Sequence, residues 1–234
     1  MRIVTNHKLI KRNRRIGQIT TFASLAILIV GLVISFTPDP QTFTWSFVAL
    51  IAGFMLSQVG IFFGNRWGRS PRSDEYLVQA LKGLDDKYTL YNFTTAVSHL
   101  LVGPAGIWVF CLFNQPGTIT YDQQKNRWVQ KNVNLYRRWF MQDGIGKPEQ
   151  EVQVNLNDIQ TFIDKNAKIE SLPTPMAAMV FTHPKVVIQA PDAPIATLAI
   201  DKLKDFIRRQ SKENPADLEA IYAFQDLFPS ESIE

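Results

Sequence analysis

Two long stretches near the start of the chain contain no charged side chain, and they constrain the fold more than any other feature. They are residues 17–36 and 46–64, which are 20 and 19 residues long. A helix of that length spans about 30 Å, the thickness of the hydrocarbon core of a bilayer. Pro38 and Pro40 lie between them and interrupt helix propagation. The pattern predicts a transmembrane hairpin with helices over 17–36 and 46–64.

Two other interpretations of these stretches are weaker. Buried helices of a soluble protein are usually shorter than 18 uninterrupted apolar residues and carry a polar face. A cleaved signal peptide fits the basic start of the chain, but its apolar core is shorter and ends in small residues. Here the first apolar run is long and a second one follows it. We therefore favour the membrane hairpin over both.

The charge of the chain divides sharply between its front and the remainder. Residues 1–72 hold nine Lys and Arg and one acid, whereas residues 73–234 hold 16 Lys and Arg and 20 Asp and Glu. The basic residues flank the apolar runs and the connecting loop has none, so the positive-inside rule places both termini in the cytoplasm. The acidic remainder, with a net charge of −4, does not favour tight non-specific binding of nucleic acid.

These features divide the chain into five segments. We expect a basic cytoplasmic N-terminus over 1–16, the hairpin over 17–64, a juxtamembrane linker over 65–72, a cytoplasmic domain over 73–228 and a tail over 229–234. Within 73–228 the periodicity predicts a helix, several strands, a helix, two strands and two helices, which is a mixed α/β domain with a central mixed sheet flanked by helices. The single cysteine, Cys111, excludes an intramolecular disulfide and a cysteine-rich zinc site.

The most specific motif of the domain is the segment 98–110, SHLLVGPAGIWVF, followed by a turn at 114–117. Together with Glu75 upstream, this segment resembles the nuclease-related domain (NERD) family. The resemblance covers roughly residues 73–210 and implies a restriction-endonuclease-like core, in which carboxylates and a lysine bind a metal and cleave a phosphodiester. The positions that agree with the family pattern are Glu75, His99, Gly103, Pro104, Gly106, Asn114 and Gly117.

Three positions depart from that pattern where its chemistry is carried. Ser98 stands at the family's metal-binding Asp, Cys111 at its Glu and Phe113 at its Lys. Phosphodiester hydrolysis of this kind needs carboxylates that hold a hard cation. Neither serine nor phenylalanine replaces them. The resemblance therefore implies a scaffold without its catalytic set, with no catalytic residue, no metal site and no cofactor.

We expect a non-enzymatic, two-pass protein of a prokaryotic cell membrane. Its partners would be the lipid bilayer and an unidentified protein that the degenerate domain binds or scaffolds. One alternative is an active, Mg²⁺-dependent nuclease whose acids come from Glu75, Asp85, Asp86 or Asp158. A second is a tether that binds nucleic acid without cleaving it. Its candidate contacts are the basic residues Arg127, Lys131, Arg137 and Arg138.

Overall fold

The structure is a computed structural model that describes residues 1–37, 39–132, 145–169 and 171–234. The chain divides into two compact units. The first, which we call the folded domain, is Met1–Asn6 with Ser73–Ile233. The second contains His7–Arg72, and we call that stretch the hairpin. The hairpin is thus inserted in the chain between two parts of the folded domain.

The hairpin consists of helix α1 over His7–Ser35 and helix α2 over Pro40–Phe63, followed by a π-helical turn over Gly64–Gly68. Both helices begin earlier than predicted. Lysine and arginine favour helices, so α1 continues through the basic residues before 17. In α2, Pro40 occupies the first turn and the Asp39 carboxylate accepts a hydrogen bond from the backbone N–H of Gln41 at 3.4 Å. This cap starts the helix six residues before the apolar run.

Glycines allow the two helices of the hairpin to approach closely. A Cβ atom added to Gly53 would lie 2.7 Å from Cγ of Leu28, and one added to Gly60 would lie 2.5 Å from Oγ1 of Thr21. Both distances are shorter than a van der Waals contact. The small-residue face of α2 is therefore occupied by α1 of the same chain.

The folded domain contains nine strands in two sheets and four helices among the described residues. Its six-stranded sheet has the order β1-β2-β3-β4-β7-β9, and its three-stranded sheet has the order β6-β5-β8. The strands are β1 Arg2–Thr5, β2 Thr89–Asn92, β3 His99–Gly103, β4 Gly106–Phe113, β5 Gly117–Asp122, β6 Arg127–Lys131, β7 Met176–Phe181, β8 Val186–Gln189 and β9 Ala196–Ala199. The helices are α3 Ser73–Leu81, α4 Pro148–Asn166, α5 Leu203–Glu213 and α6 Leu218–Gln225.

Strands β2, β3 and β4 form an antiparallel meander, whereas β1, β7 and β9 each pair in parallel with a neighbour. The domain is therefore mixed α and β with a mixed sheet, as the sequence predicts. Helices cover both faces of the six-stranded sheet. Leu77 of α3 and Leu203 of α5 pack with Phe110 on one face, and Ile159 of α4 and Phe224 of α6 pack with Val109 on the other.

The first residues of the chain form strand β1, which sequence analysis places within a single basic segment over 1–16. Arg2–Thr5 pairs in parallel with Thr89–Asn92. Val4 is fully buried in the core beside β2, whereas the neighbouring Ile3 is 39% exposed. The first two residues of β1 are thus exposed and the last two, Val4 and Thr5, are buried, at one boundary of the sheet. Four residues beside a dense run of charge give too short a pattern to identify from sequence.

The tail predicted over 229–234 also takes part in the folded domain. The backbone N–H of Ile233 donates to the carbonyl of Thr5 at 3.0 Å, and the N–H of Thr5 donates to Oγ of Ser232 at 3.0 Å. These two bonds use the backbone carbonyl and N–H of Thr5, in addition to the pairing of β1 with β2. The last residues of the sequence thus extend the hydrogen bonding of its first strand.

Candidate functional site

The motif that distinguishes the folded domain lies at one end of the six-stranded sheet. Strands β2 and β4 run in the same direction and β3 runs between them in the opposite one. The last residue of β2, Asn92, the first of β3, His99, and the last of β4, Phe113, therefore lie at the same end. We call this the His99 end of the sheet.

The register brings together the two positions at which the family pattern has acids. The β3–β4 ladder ends at the pair Leu100–Val109, and the same register extended by two residues would set Ser98, just before β3, opposite Cys111. Side chains directly opposite in an antiparallel pair have Cβ atoms about 5 Å apart. Phe113 lies two residues further along the same face of β4. The three departures from the family pattern thus share one face of the sheet at its His99 end.

The surroundings of Cys111 and Phe113 are those of a hydrophobic core. Cys111 is 3% exposed and Phe113 is 7% exposed. The ring of Phe113 stacks on Phe181 of β7, with centroids 5.4 Å apart. Buried apolar side chains from β5, β6, β7, α4 and the residues just before α4 complete the cluster: Ile119, Trp128, Ile145, Val152, Met179 and Phe181. This side of the sheet end is packed with hydrocarbon.

Burial raises the pKa of the Cys111 thiol to about 12, and the charge of Glu151 adds to the shift. Nδ2 of Asn155 lies 3.7 Å from the sulfur, within the range of a weak hydrogen bond to sulfur. Both neighbours belong to the first half of α4. A thiol with so high a pKa stays protonated at neutral pH, so Cys111 is not a thiolate nucleophile there.

A polar pair occupies the opposite face at the same end. His99 and Asn92 are both buried and face each other across β2 and β3, with Nδ1 of His99 2.9 Å from Oδ1 of Asn92. Nδ2 of Asn92 is buried without a hydrogen-bond partner among the described residues. Phe93, which follows Asn92, makes an edge-to-face contact with the His99 ring, with centroids 4.9 Å apart, and its φ of 59° is rare for a bulky side chain. The pair is a fixed polar element inside the core.

The acids named for the nuclease alternative do not converge on Cys111. Glu75 is half-buried on α3, which packs on the opposite face of the sheet. Asp85 and Asp86 lie before β2, at the far end from His99, and Oδ1 of Asp86 is 2.7 Å from the N-terminal amine. Asp158 is on an exposed face of α4. Glu151 is the acid whose charge acts on the Cys111 thiol. The sequence did not predict this role.

No metal-binding cluster is present in the part of the chain that the structure describes. Within those residues, no group of three or more His, Cys, Asp or Glu side chains is arranged to hold a metal ion. The chemistry at the His99 end is instead that of a packed thiol, a stacked phenylalanine and a buried His–Asn pair.

The basic residues named for nucleic acid lie in and after strand β6. Arg127 and Lys131 are both exposed and are four residues apart, so they point to the same side of the strand, while Trp128 is buried. Arg127 pairs in register with Asp122 of β5. Arg137 and Arg138 lie outside the described residues.

The two neighbours of Cys111 on α4, Glu151 and Asn155, could not be found from sequence alone, because they are 40 and 44 residues away in the chain. A partial signal was present, since Glu151 belongs to the Pro148-x-x-Glu151 start of a predicted helix. Comparisons with protein-family models, curated proteins and solved structures find no match to this chain. The structure itself therefore carries the functional argument.

Proposed function

We propose that the chain is a two-pass membrane protein that presents a catalytically inactive, nuclease-like domain as a binding module at the cytoplasmic face. The observation that carries the inactive part is the packing of Cys111 and Phe113. They occupy the positions of the family's Glu and Lys, and an apolar cluster fills the space around them. A hard cation bound at these positions would need oxygen ligands and space for water molecules.

The membrane part rests on what the helices of the hairpin expose. Both are long and apolar enough to cross a bilayer, and only 17% and 11% of their most apolar windows are buried. Core helices of a soluble protein would be mostly buried. Phe22, Phe36 and Phe43 are 71%, 79% and 67% exposed, which would be unfavourable in water at about 25 cal/mol per Å² of apolar surface. Lipid tails are the solvent that suits this surface.

The pairing of β1 with β2 supports an even number of crossings. The chain leaves the folded domain after Asn6 and returns to it at Ser73. Both parts of one sheet must be on the same side of a membrane, which a two-helix hairpin permits. Cleavage of α1 as a signal peptide would remove β1 from the sheet. The segments that flank the hairpin are basic, whereas the loop between its helices has no Lys or Arg. By the positive-inside rule, this favours the cytoplasmic side for the domain.

The order of elements is compatible with the NERD resemblance. Along the chain, α3, the meander β2-β3-β4, α4 and then β7 follow the helix–strands–helix–strand order of that core. The retained Gly-Pro-x-Gly turn has a structural explanation. A Cβ at Gly103 would run into the ring of Tyr88, and Gly106 has a φ of +94°, where other residues are strained. Retention of this turn thus does not require retained catalysis.

A nuclease assay tests the proposal. The full chain in lipid nanodiscs is incubated with Mg²⁺ or Mn²⁺ and single-stranded DNA, duplex DNA or RNA, beside the Glu151→Ala and Glu75→Ala variants. We expect no cleavage above a protein-free control in any sample. Metal-dependent cleavage that either variant abolishes would overturn the inactive assignment and establish the nuclease alternative.

The same samples test the tether and the anchor. Binding of DNA whose affinity falls steeply with salt and with Arg127→Glu would indicate a nucleic-acid tether. For the anchor, we expect the chain to stay with membranes through alkaline carbonate extraction and to leave them only with detergent. Release of the intact chain by carbonate would contradict membrane insertion.

A further inference from the structure

Two strands that each end a sheet, β8 and β9, lie close to each other in the folded domain. Strand β9 ends the six-stranded sheet and β8 ends the three-stranded sheet, so each pairs on one side only with a described strand. The connection between them contains Pro191 and Pro194, which have no backbone N–H to offer to either edge. An open edge presents unpaired N–H and C=O groups and is a template for another extended chain.

A groove runs along the edge of β9. It has one hollow of about 470 Å³ between β9 and helix α5, and one of about 520 Å³ between β8 and β9. Residues common to both hollows join them into one groove: Ala190, Pro191, Thr197, Leu198 and Lys202. We call this the β9 groove. Each hollow has the volume of a typical ligand pocket, and small side chains leave the strand edge accessible.

The helical wall of the β9 groove is one face of α5 and the turn before it. Lys202, Asp205, Phe206 and Arg209 line it, at the spacing of neighbours on a helix surface. Phe206 is held by an edge-to-face contact with Trp108, with centroids 5.1 Å apart. The wall therefore has a fixed aromatic surface in its middle.

The charges of this wall are not balanced. Lys202 lies 3.6 Å from Asp201, and Asp205 lies 4.0 Å from Arg208. Arg209 lies over the ring of Phe206, 5.8 Å from its centroid, and has no acidic partner in the described part of the chain. The groove thus combines a strand edge, an aromatic surface on its helical wall and one uncompensated guanidinium.

We propose that the β9 groove binds an extended segment of another protein, which adds as a strand to the edge of β9 and places an acidic side chain at Arg209. Main-chain hydrogen bonds would supply affinity and the acidic side chain would supply specificity. This names the kind of partner for the proposed binding module and rests on that proposal. A single uncompensated guanidinium does not suit a polyphosphate chain, whose binding requires several cations.

A second copy of the chain is a poorer occupant. A two-fold interface sets the same patch against itself, so the excess positive charge of one groove would face the same excess on the other. An acidic peptide instead supplies the charge that the groove lacks.

The test uses the full chain in lipid nanodiscs and two fluorescent ten-residue peptides of alternating Thr and Val, with Glu or Lys at one central position. Fluorescence anisotropy measures both dissociation constants. We expect the Glu peptide to bind about tenfold more tightly, as one charge contact of about 1.4 kcal/mol would give. Arg209→Glu should invert this preference, and the control Lys125→Glu, at an exposed position in the turn between β5 and β6, should leave it unchanged.

Two further Glu peptides carry N-methyl groups on alternate amides, one for each parity. Strand addition uses the N–H groups of alternate residues only, so one methylated peptide should lose binding and the other should keep it. Equal binding of both, no saturable binding of any peptide, or a preference that Arg209→Glu does not change would overturn the proposal. The proposal would also be overturned if the chain self-associated without peptide and Arg209→Glu abolished that self-association. The groove would then be assigned to a second copy of the chain.

Failure here is distinguishable from failure of the proposed function. If the peptides do not bind while the nuclease assay stays blank and carbonate leaves the chain in the membrane, only the groove assignment is lost. If metal-dependent cleavage is found, the inactive assignment is lost whatever the peptides do.

Discussion

The hairpin and the folded domain bury opposite kinds of side chain. In α1 the buried residues between 13 and 31 are Asn13, Gly17, Ser24 and Gly31, while large apolar side chains such as Phe22 are exposed. In the folded domain the fully buried side chains are large, among them Tyr91, Phe181 and Phe224. The middle of α1 thus buries small residues and exposes large apolar ones, whereas the folded domain buries its large apolar side chains.

This difference is the one that the proposed membrane insertion of the hairpin requires. In water, burial of large apolar side chains is the main favourable term of folding. In a bilayer that term is absent between helices, and close packing through small residues takes its place. A sequence rich in phenylalanine throughout can therefore produce both arrangements, and the position of glycine and serine distinguishes them.

The largest contrast is expected from two phenylalanine truncations. Phe224→Ala removes a fully buried ring of α6 and should cost about 3–5 kcal/mol, lowering Tm by roughly 10 °C. Phe22→Ala removes a ring that is 71% exposed and should leave Tm nearly unchanged. Thermal unfolding of the detergent-purified chain measures both. Equal losses would mean that Phe22 packs within the protein, which would contradict the lipid-facing assignment.

Strand β1 gives a smaller contrast within four residues. Val4 is fully buried and Ile3 is 39% exposed, so Val4→Ala should cost about 2 kcal/mol and Ile3→Ala less than about 0.5 kcal/mol. Urea unfolding followed by tryptophan fluorescence measures the two free energies. If Val4→Ala were silent, the first residues would not belong to the folded domain, and the same-side argument for the two termini would lose its support.

The sequence predicted the hairpin because uninterrupted apolar length is a strong, local signal. It also predicted a mixed sheet with both faces covered, since residues 106–113 are apolar almost without a break. It could not predict that residues 2–5 join β2, because that pairing spans more than 80 residues and depends on a register rather than on a local pattern. The same limit applies at the His99 end of the sheet, where Cys111 was identified but its neighbours on α4 were not.

Two glycines of the hairpin, Gly60 and Gly64, test how closely its helices pack. A methyl group at Gly60 would meet Thr21 at 2.5 Å, whereas one at Gly64 would have nothing within 4 Å. Gly60→Ala should destabilise the helix pair by about 1–2 kcal/mol, and Gly64→Ala, at a helical φ of −61°, should not. Unfolding in mixed micelles with increasing SDS measures the difference. A silent Gly60→Ala would show that the helices do not approach as closely as the structure places them.

The smallest effect is a pH dependence that belongs to the folded domain alone. The pKa of Cys111 is raised from its ordinary value of 9.0 to about 12. Above pH 9 the folded chain therefore keeps a proton that the unfolded chain has lost, so stability falls as pH rises. Between about pH 8.5 and pH 10 the loss should be about 1 kcal/mol.

Cys111→Ala serves as the reference for this measurement, because burial also raises the pKa of Tyr88 and Tyr91, and both remain in the variant. The difference in slope between the two proteins isolates the thiol. In the same pH range iodoacetamide should modify Cys111 only after unfolding, as mass spectrometry can show. If stability fell equally with pH in both proteins and the folded chain were alkylated rapidly, Cys111 would be exposed to water. The His99 end of the sheet would then not be packed, and the inactive assignment would lose its support.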